Sequence, residues 1–166
     1  MTAGLDAAGA RAGTLLKERG ETIGVAEGAA GGLVSAALLA VPGASAYFRG
    51  GAVVYTGAAR HAFLEGAVET PEGLRGASEP WVRYLAASAR IKLRTHWGIG
   101  EGGAAGPSGN PYGDPPGHAW VAVAGPDDGE ADIVARHLLT GSDDRPANMV
   151  AFATAALELL VERLEL

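Results

Sequence analysis

The 166-residue sequence contains no cysteine. This absence excludes a disulfide framework, a thiol nucleophile and a metal site built on thiolates. The four histidines do not have a metal-binding spacing such as His-x-x-x-His, so we expect no metal site; they are His61, His96, His118 and His137. We expect no cofactor either.

Basic residues and long apolar runs are also scarce. Thirteen Lys and Arg residues stand against nineteen Asp and Glu, and the resulting net charge of −6 argues against a nucleic-acid partner. The longest apolar runs are shorter than the roughly 20 residues that cross a membrane. The first residues do not have the pattern of a signal peptide, so the expected location is the cytoplasm.

The sequence is rich in small residues, with 26 glycines and a hydrophobic fraction of 48%. This length and composition predict one domain, residues 1–166, with a core that favours close backbone packing. Predicted helices cover 5–19, 32–40, 58–64, 79–95 and 146–164, and predicted strands cover 22–26, 47–55, 118–124 and 132–139. This alternation predicts an α/β fold, a three-layer α/β/α sandwich.

The segment 22–60 organises the rest of the chain. A β-prone run is followed by a turn of small residues, Glu27 to Gly32, and then by an apolar helix. Ligands of open α/β folds bind at such carboxyl ends of strands, where glycines allow close approach to the backbone. The spacing matches neither a Walker A loop nor a dinucleotide fingerprint, so it predicts only a small-ligand site.

Five ordered motifs resemble the CinA C-terminal domain family. They are AEGAAGG at 26–32, VPGASAYF at 41–48, GGAVVY at 50–55, GAAGPSG at 103–109 and PGHAW at 116–120. The resemblance covers nearly the whole chain. It implies a mixed, five-stranded sheet and an additional strand over 97–103. The family includes amidohydrolases that release ammonia from nicotinamide mononucleotide.

The chain departs from the family pattern at the residues that would carry catalysis. Family members have Ser, Cys and Thr where this chain has Gly28, Ala29 and Ala30, and the family Ser is the nucleophile. A Tyr and a Lys are thought to assist it; here Tyr55 is kept but Arg60 replaces the Lys. Arginine stays protonated and cannot act as a general base. No catalytic set is therefore intact.

The resemblance still implies a ligand site. Its candidate residues are Glu27, Gly28, Ala29, Ala30, Gly31, Gly32, Tyr55, Arg60, Gly103, Ala105, Gly106 and Ser108. Several have plainer interpretations: Glu27 could cap the following helix, Tyr55 could be a packing residue at a strand end, and Arg60 could be a solvated helix residue. Loop 103–109 could cradle an anion or be a connector, and Ser108 could be proposed as a substitute nucleophile.

Glu101 is unexpected, because the family strand is apolar at this position. Burying a carboxylate is costly. Either the end of the strand is exposed, or Glu101 has a partner that the sequence does not reveal.

Three function classes follow from these residues. The first is a CinA-like domain that binds a nucleotide-like ligand (a pyridine mononucleotide, for example) or a partner protein without turnover. The second is an active amidohydrolase with relocated catalytic residues. The third is a structural or regulatory subunit with a vestigial pocket. We also expect a homo-oligomer, most simply a homodimer, with the small-residue surface around Gly50 and Gly51 at its interface.

Overall fold

The computed structural model describes residues 1–127 and 129–166. Its sheet has five strands in the order β2-β1-β3-β4-β5. The strands are β1 (Ile23–Glu27), β2 (Phe48–Val53), β3 (Trp97–Gly103), β4 (His118–Ala124) and β5 (Ile133–Leu139). β1 is parallel to both β2 and β3, whereas β4 is antiparallel to both β3 and β5. The predicted mixed, five-stranded sheet is confirmed.

Helices cover both faces of the sheet. They are α1 (Ala3–Arg19), α2 (Leu33–Leu39), α3 (Gly57–Leu64), α4 (Glu79–Leu93) and α5 (Arg145–Leu164). The main core lies between the sheet and α1, α2 and α5, while α4 packs on the opposite face. This is the predicted three-layer arrangement. Within the described residues, no helix has both the length and the apolar character that crossing a membrane requires.

Glycines in β3 set the distance between the sheet and α4. A Cβ atom at Gly98 or Gly100 would lie only 2.1 Å from a backbone carbonyl oxygen of α4. These glycines lower the intrinsic strand propensity of the segment, yet residues 97–103 form a strand. The close helix contact explains both observations, since tertiary packing outweighs local preference.

Local sequence signals predicted most helix and strand boundaries to within two residues of their positions in the structure. Ser78 accepts a hydrogen bond from the Trp81 N–H and caps α4, and Gly20 ends α1 in the left-handed conformation. Met149 of α5 is only half-buried although its side chain is apolar. Asn148 is the fully buried residue instead, because its side chain satisfies backbone groups of two neighbouring loops.

The pair Gly50–Gly51 lies in the edge strand β2. The pairing with β1 shifts by one residue just before this pair, which marks a bulge or irregularity in the strand. Gly51 is exposed and Gly50 half-buried, yet neither has room for a side chain: a Cβ at Gly51 would meet the Ser35 hydroxyl at 2.2 Å, and one at Gly50 would meet Leu93 at 3.2 Å. Internal packing therefore accounts for these small residues, and self-association stays a prediction.

Candidate functional site

The turn from Glu27 to Gly32, called here the first glycine-rich turn, and loop 103–109 meet at one edge of the sheet. They do so because β1 and β3 are parallel and end side by side. The Gly28 N–H donates to the Glu101 carbonyl oxygen (3.1 Å), and Ala29 shares a small apolar cluster with Ala105 and Phe152. The sheet topology thus brings the two predicted ligand loops together.

Glu27 ends β1 with its side chain fully buried. Its Oε2 accepts from the N–H groups of Gly32 (2.9 Å) and Val34 (3.1 Å). Its Oε1 accepts from the Ser35 N–H (3.0 Å) and the Ser35 hydroxyl (2.8 Å). The carboxylate therefore caps the first turn of α2, which is the structural role that the sequence left open for Glu27. The side chain has no exposed surface through which to contact a ligand.

Glu101 lies on β3 and is also fully buried. Its Oε2 accepts from the N–H groups of Gly28 and Ala30, both at 2.9 Å. Within the described residues, its Oε1 has no hydrogen-bond partner. Burial raises the pKa of Glu101 to about 7, against the lowering effect of the two backbone N–H groups, and the charge of Glu27 raises it further. The unseen partner of Glu101 is the first glycine-rich turn.

The backbone donors of this turn are mostly engaged within the protein. Beyond the bonds to the two glutamates, the Gly31 N–H donates to the Gly28 carbonyl and the Leu33 N–H to the Ala30 carbonyl. A ligand anion would therefore have to displace an internal acceptor to bind these groups. The exposed part of the edge lies elsewhere, on the segments that follow β2 and β3.

Arg145, the first residue of α5, bridges those two segments. One guanidinium nitrogen donates to the Gly106 carbonyl (2.7 Å) and the other terminal nitrogen to the Tyr55 hydroxyl (3.3 Å). Tyr55 is 63% exposed, and Arg145 is exposed as well. Tyr55 is thus an accessible phenol and not the packing residue that the sequence offered as an alternative.

Asn148, one helical turn further along α5, fixes the backbone of the same loop. Its amide nitrogen donates to the carbonyls of Ala105 and Ser142, both at 2.8 Å, and its oxygen accepts from the Thr140 hydroxyl (2.6 Å). Sequence reasoning missed both Arg145 and Asn148. The available signal was the Asp144 cap, which places these residues in the first turn of α5.

Comparison with known proteins agrees with this architecture. The family model described as CinA C-terminal domain matches residues 6–164. The chain belongs to the CinA C-terminal domain family. A CinA-like protein of Prochlorococcus marinus (strain MIT 9313) is 44% identical over 112 residues, which are 68% of this chain and 26% of that protein. A CinA-like protein of Synechocystis sp. (strain ATCC 27184 / PCC 6803 / Kazusa) is 36% identical over 155 residues, 92% of this chain and 36% of the relative.

Two solved structures extend the comparison to the fold. The competence/damage inducible protein CihA from Agrobacterium tumefaciens has a TM-score of 0.88 and 25% identity, and the match covers 100% of this chain and 98% of that one. A CinA superfamily protein from Klebsiella pneumoniae 700603 has a TM-score of 0.86 and 25% identity, with 97% and 98% covered. The curated relatives are longer: the chain spans 26% and 36% of the two described above.

The family catalytic positions can be located in this fold. Gly28, at the position of the family Ser, is buried, and a Cβ there would lie 3.4 Å from the Val54 carbonyl oxygen and 3.5 Å from that of Glu101. Arg60 is half-buried on α3, and its guanidinium donates to the Thr70 hydroxyl at 3.4 Å. Among the described residues, Arg60 forms no hydrogen bond with the glycine-rich turn or loop. The structure thus unites the turn, the loop and Tyr55 through hydrogen bonds, but not Arg60.

Ser108 is exposed on loop 103–109. Across residues 1–127 and 129–166, no group hydrogen-bonds to its side chain, so no base is positioned to activate it. The nearby histidines are occupied otherwise: the His118 Nδ1 is 2.9 Å from the His137 Nε2, and the His118 Nε2 is 2.8 Å from the Ala77 carbonyl. No group of three His, Asp or Glu side chains in the described part of the chain could hold a metal ion.

A cavity of about 970 Å³ lies away from this edge. It is bounded by α4, by residues 68–71 and by the connection between β4 and β5. None of the predicted ligand residues lines it. Volume alone does not make this cavity the functional site, because the family motifs and the strand ends converge elsewhere.

Proposed function

We propose that this chain is a CinA-type domain that binds a nucleotide-like small ligand at the carboxyl edge of the sheet without hydrolysing it. One observation carries this proposal: Gly28, where the resemblance implies the family nucleophile, has no side chain, and the N–H groups of Gly28 and Ala30 are bonded to Glu101. The edge retains binding groups, while the catalytic ones are missing.

The missing chemistry explains why turnover is not expected. Amide hydrolysis needs a nucleophile, a group that takes its proton and donors for the oxyanion. Gly28 has no side chain that could attack, and Arg60 cannot accept a proton because it stays protonated at any ordinary pH. Tyr55 could polarise a bound carbonyl, but such residual effects fall orders of magnitude short of a complete site.

An amidohydrolase with relocated residues would need a new nucleophile or base. Glu101 has a pKa near 7, which suits a general base, but its side chain has no exposed surface. Ser108 is accessible but lacks a base. Neither residue meets both requirements, so we favour binding without turnover over relocated catalysis.

A vestigial pocket is the remaining alternative. Against it, Tyr55 and Arg145 present exposed polar groups at this edge, and Asn148 holds the Gly106 loop in place from within the core. Arg145 uses two of its nitrogens for the protein and keeps further N–H donors, so a phosphate or carboxylate could be held by its guanidinium. A pyridine mononucleotide offers such a phosphate together with an aromatic amide.

The direct test measures ammonia release from nicotinamide mononucleotide by the purified chain, together with thermal-shift binding of the same compound. We expect binding but no release at an enzymatic rate, since specific binding stabilises the native state by mass action. Gly28→Ser alone should achieve little. Gly28→Ser with Arg60→Lys should release more ammonia than either single variant, because the two groups act as a unit.

The controls separate binding from chemistry. Arg145→Ala should abolish the thermal shift, whereas Arg11→Ala, at an exposed arginine of α1 paired with Glu165, should leave it unchanged. Ammonia release by the unmodified chain that is lost in Tyr55→Phe or Ser108→Ala would show relocated catalysis and contradict the proposal.

Self-association is a second, separate proposal. β2 is an edge strand whose outer backbone groups are not paired within the described sheet, and edge strands are common sites of pairing between chains. We propose a homodimer. Light scattering that gives a monomer mass at about 50 μM, a range in which weak dimers persist, would contradict it.

A further inference from the structure

Glu101 places a carboxylate oxygen between two backbone donors of the turn that the family motif supplies. We propose that Glu101 is the resident anion of the Gly28–Ala30 turn, and that it closes this turn to external phosphate and carboxylate groups. The charged group of any ligand bound at this edge must then be held by Arg145 and its neighbours.

The geometry is that of an occupied anion site. The N–H groups of Gly28 and Ala30 converge on one atom, Oε2 of Glu101, each at 2.9 Å. Converging backbone N–H groups in a turn form an anion-binding concavity. Here the anion is covalently attached to β3 and fully enclosed, so the concavity has no space for a second one.

Packing requirements alone do not explain this choice of residue. Glu101 lies opposite Val121 of β4, which is fully buried and belongs to the main core. An apolar side chain would suit such surroundings and would avoid the cost of burying a carboxyl group whose Oε1 is unpartnered. The two donors of the turn compensate part of that cost, since the Ala30 N–H would otherwise remain unpaired and the Gly28 N–H would keep only its bond to the Glu101 carbonyl.

This inference deepens the proposed function, because it states which part of the edge cannot hold the ligand's charged group. Only the statement that a ligand binds at Arg145 rests on the proposed function. Ammonia release by the unmodified chain would contradict the proposed function without affecting the contact between Glu101 and the turn.

Removal of the carboxylate tests the inference. In Glu101→Ala, the Ala30 N–H loses its acceptor and the Gly28 N–H keeps only its bond to the backbone carbonyl of residue 101, and both donors face a cavity of the size of a small carboxylate. We expect 0.1 M propionate or acetate, compared with equal chloride, to raise the melting temperature of this variant by about 4 °C, as binding at roughly tenfold excess over Kd implies. The wild-type protein should show no such difference. Phosphate, being larger, should have a smaller effect than acetate.

Two matched variants make the test specific. Glu101→Leu removes the same carboxylate acceptor but fills the cavity, and Val121→Ala creates a cavity on the neighbouring strand without these donors. Neither should respond to carboxylates. An equal response of all three variants, or no response of Glu101→Ala, would overturn the inference.

A measurement on the wild-type chain covers the case in which Glu101→Ala does not fold. The amide proton resonances of Gly28 and Ala30 should shift together along one titration curve between pH 5 and 9. Glu27, at the end of β1, is the other titratable group acting on Glu101. The shared shift should therefore be absent in Glu101→Gln, which keeps Glu27. Gly28 and Ala30 amide resonances that are the same in the wild type and in Glu101→Gln at pH 8 would overturn the inference.

Discussion

Two fully buried glutamates lie at the carboxyl edge of the sheet, Glu27 on β1 and Glu101 on β3, and their carboxylates accept different numbers of hydrogen bonds from the protein. Glu27 receives four hydrogen bonds, shared equally between its two oxygens. The carboxylate of Glu101 accepts two hydrogen bonds from backbone N–H groups, both at Oε2, while its Oε1 has no partner among the described residues. Burial alone therefore does not distinguish the two carboxylates; the number of donors does.

The difference separates a residue that caps a helix from one that we propose fills the anion site of the turn. Glu27 satisfies the first turn of a seven-residue helix, so the fold itself needs its charge. Glu101 joins a strand to the Gly28–Ala30 turn, and the Oε1 of its carboxyl group has no partner among the described residues. Each of the following experiments changes one of these two environments.

The largest effect is expected for Glu27→Gln. The amide keeps one acceptor oxygen but turns its NH2 group toward N–H donors, so buried donors are left unpaired. We expect the free energy of unfolding to fall by about 4 kcal/mol at pH 7, measured by urea denaturation. Glu158→Gln, at an exposed position of α5, is the control and should change little. A loss no larger than that of the control would contradict the assigned capping role.

The pH dependence of stability tests Glu101. A carboxyl pKa raised from 4.5 to about 7 means that the folded state holds this proton more tightly than the unfolded state. The stabilising contribution of Glu101 to the free energy of unfolding is therefore fully present below pH 4.5 and is lost as the pH rises through 7. The shift corresponds to about 3 kcal/mol. As the pH rises from 4.5 to 8, we expect the free energy of unfolding of the wild type to fall by about 3 kcal/mol relative to that of Glu101→Gln.

Urea denaturation of both proteins across this range measures the difference. Glu158→Gln again provides the control, because an exposed glutamate should leave the shape of the pH profile unchanged. Parallel profiles for the wild type and Glu101→Gln would show that Glu101 does not titrate in this way.

The sequence anticipated much of this comparison but not its decisive contacts. Apolar periodicity and caps such as Ser78 located the helices, and the family resemblance, which assigns both glycine-rich segments to one ligand site, predicted that they meet. The position of Glu101 was recognisable as unusual, but its partners were not. Gly28 and Ala30 are more than 70 residues away, and they donate through backbone groups that carry no sequence signal.

Arg145 was missed for a related reason. Its contact with Tyr55 joins residues 90 positions apart and depends on where α5 begins relative to β2 and β3. Residue type and local spacing do not contain that information. The family resemblance, in contrast, located the turn and the loop correctly because it was carried by short, ordered motifs. The long-range side-chain contacts at the same edge could be identified only from the structure.

A smaller effect is expected for Ser35→Ala, which removes one of the four donors to Glu27. The hydroxyl bond of 2.8 Å is lost, but the Ser35 N–H still donates to the same oxygen. We expect a loss of about 1 kcal/mol in unfolding free energy at pH 7. Ser108→Ala, at an exposed serine without a hydrogen bond among the described residues, should have no effect and serves as the control. Equal values for the two variants would show that the hydroxyl adds nothing to the cap.

The smallest effect is expected for Gly28→Ser, next to the donors that bind Glu101. A Cβ at Gly28 meets two carbonyl oxygens at 3.4 and 3.5 Å, which is ordinary van der Waals contact, and the new side chain restricts the unfolded chain. These terms nearly cancel, so we expect the unfolding free energy to change by less than about 0.5 kcal/mol. Gly100→Ser is the matched contrast, because its Cβ would lie 2.1 Å from the Val82 carbonyl oxygen and should destabilise strongly. If both variants lose stability equally, the space at Gly28 is smaller than this structure indicates, and the family's serine could not be restored without rearranging the turn.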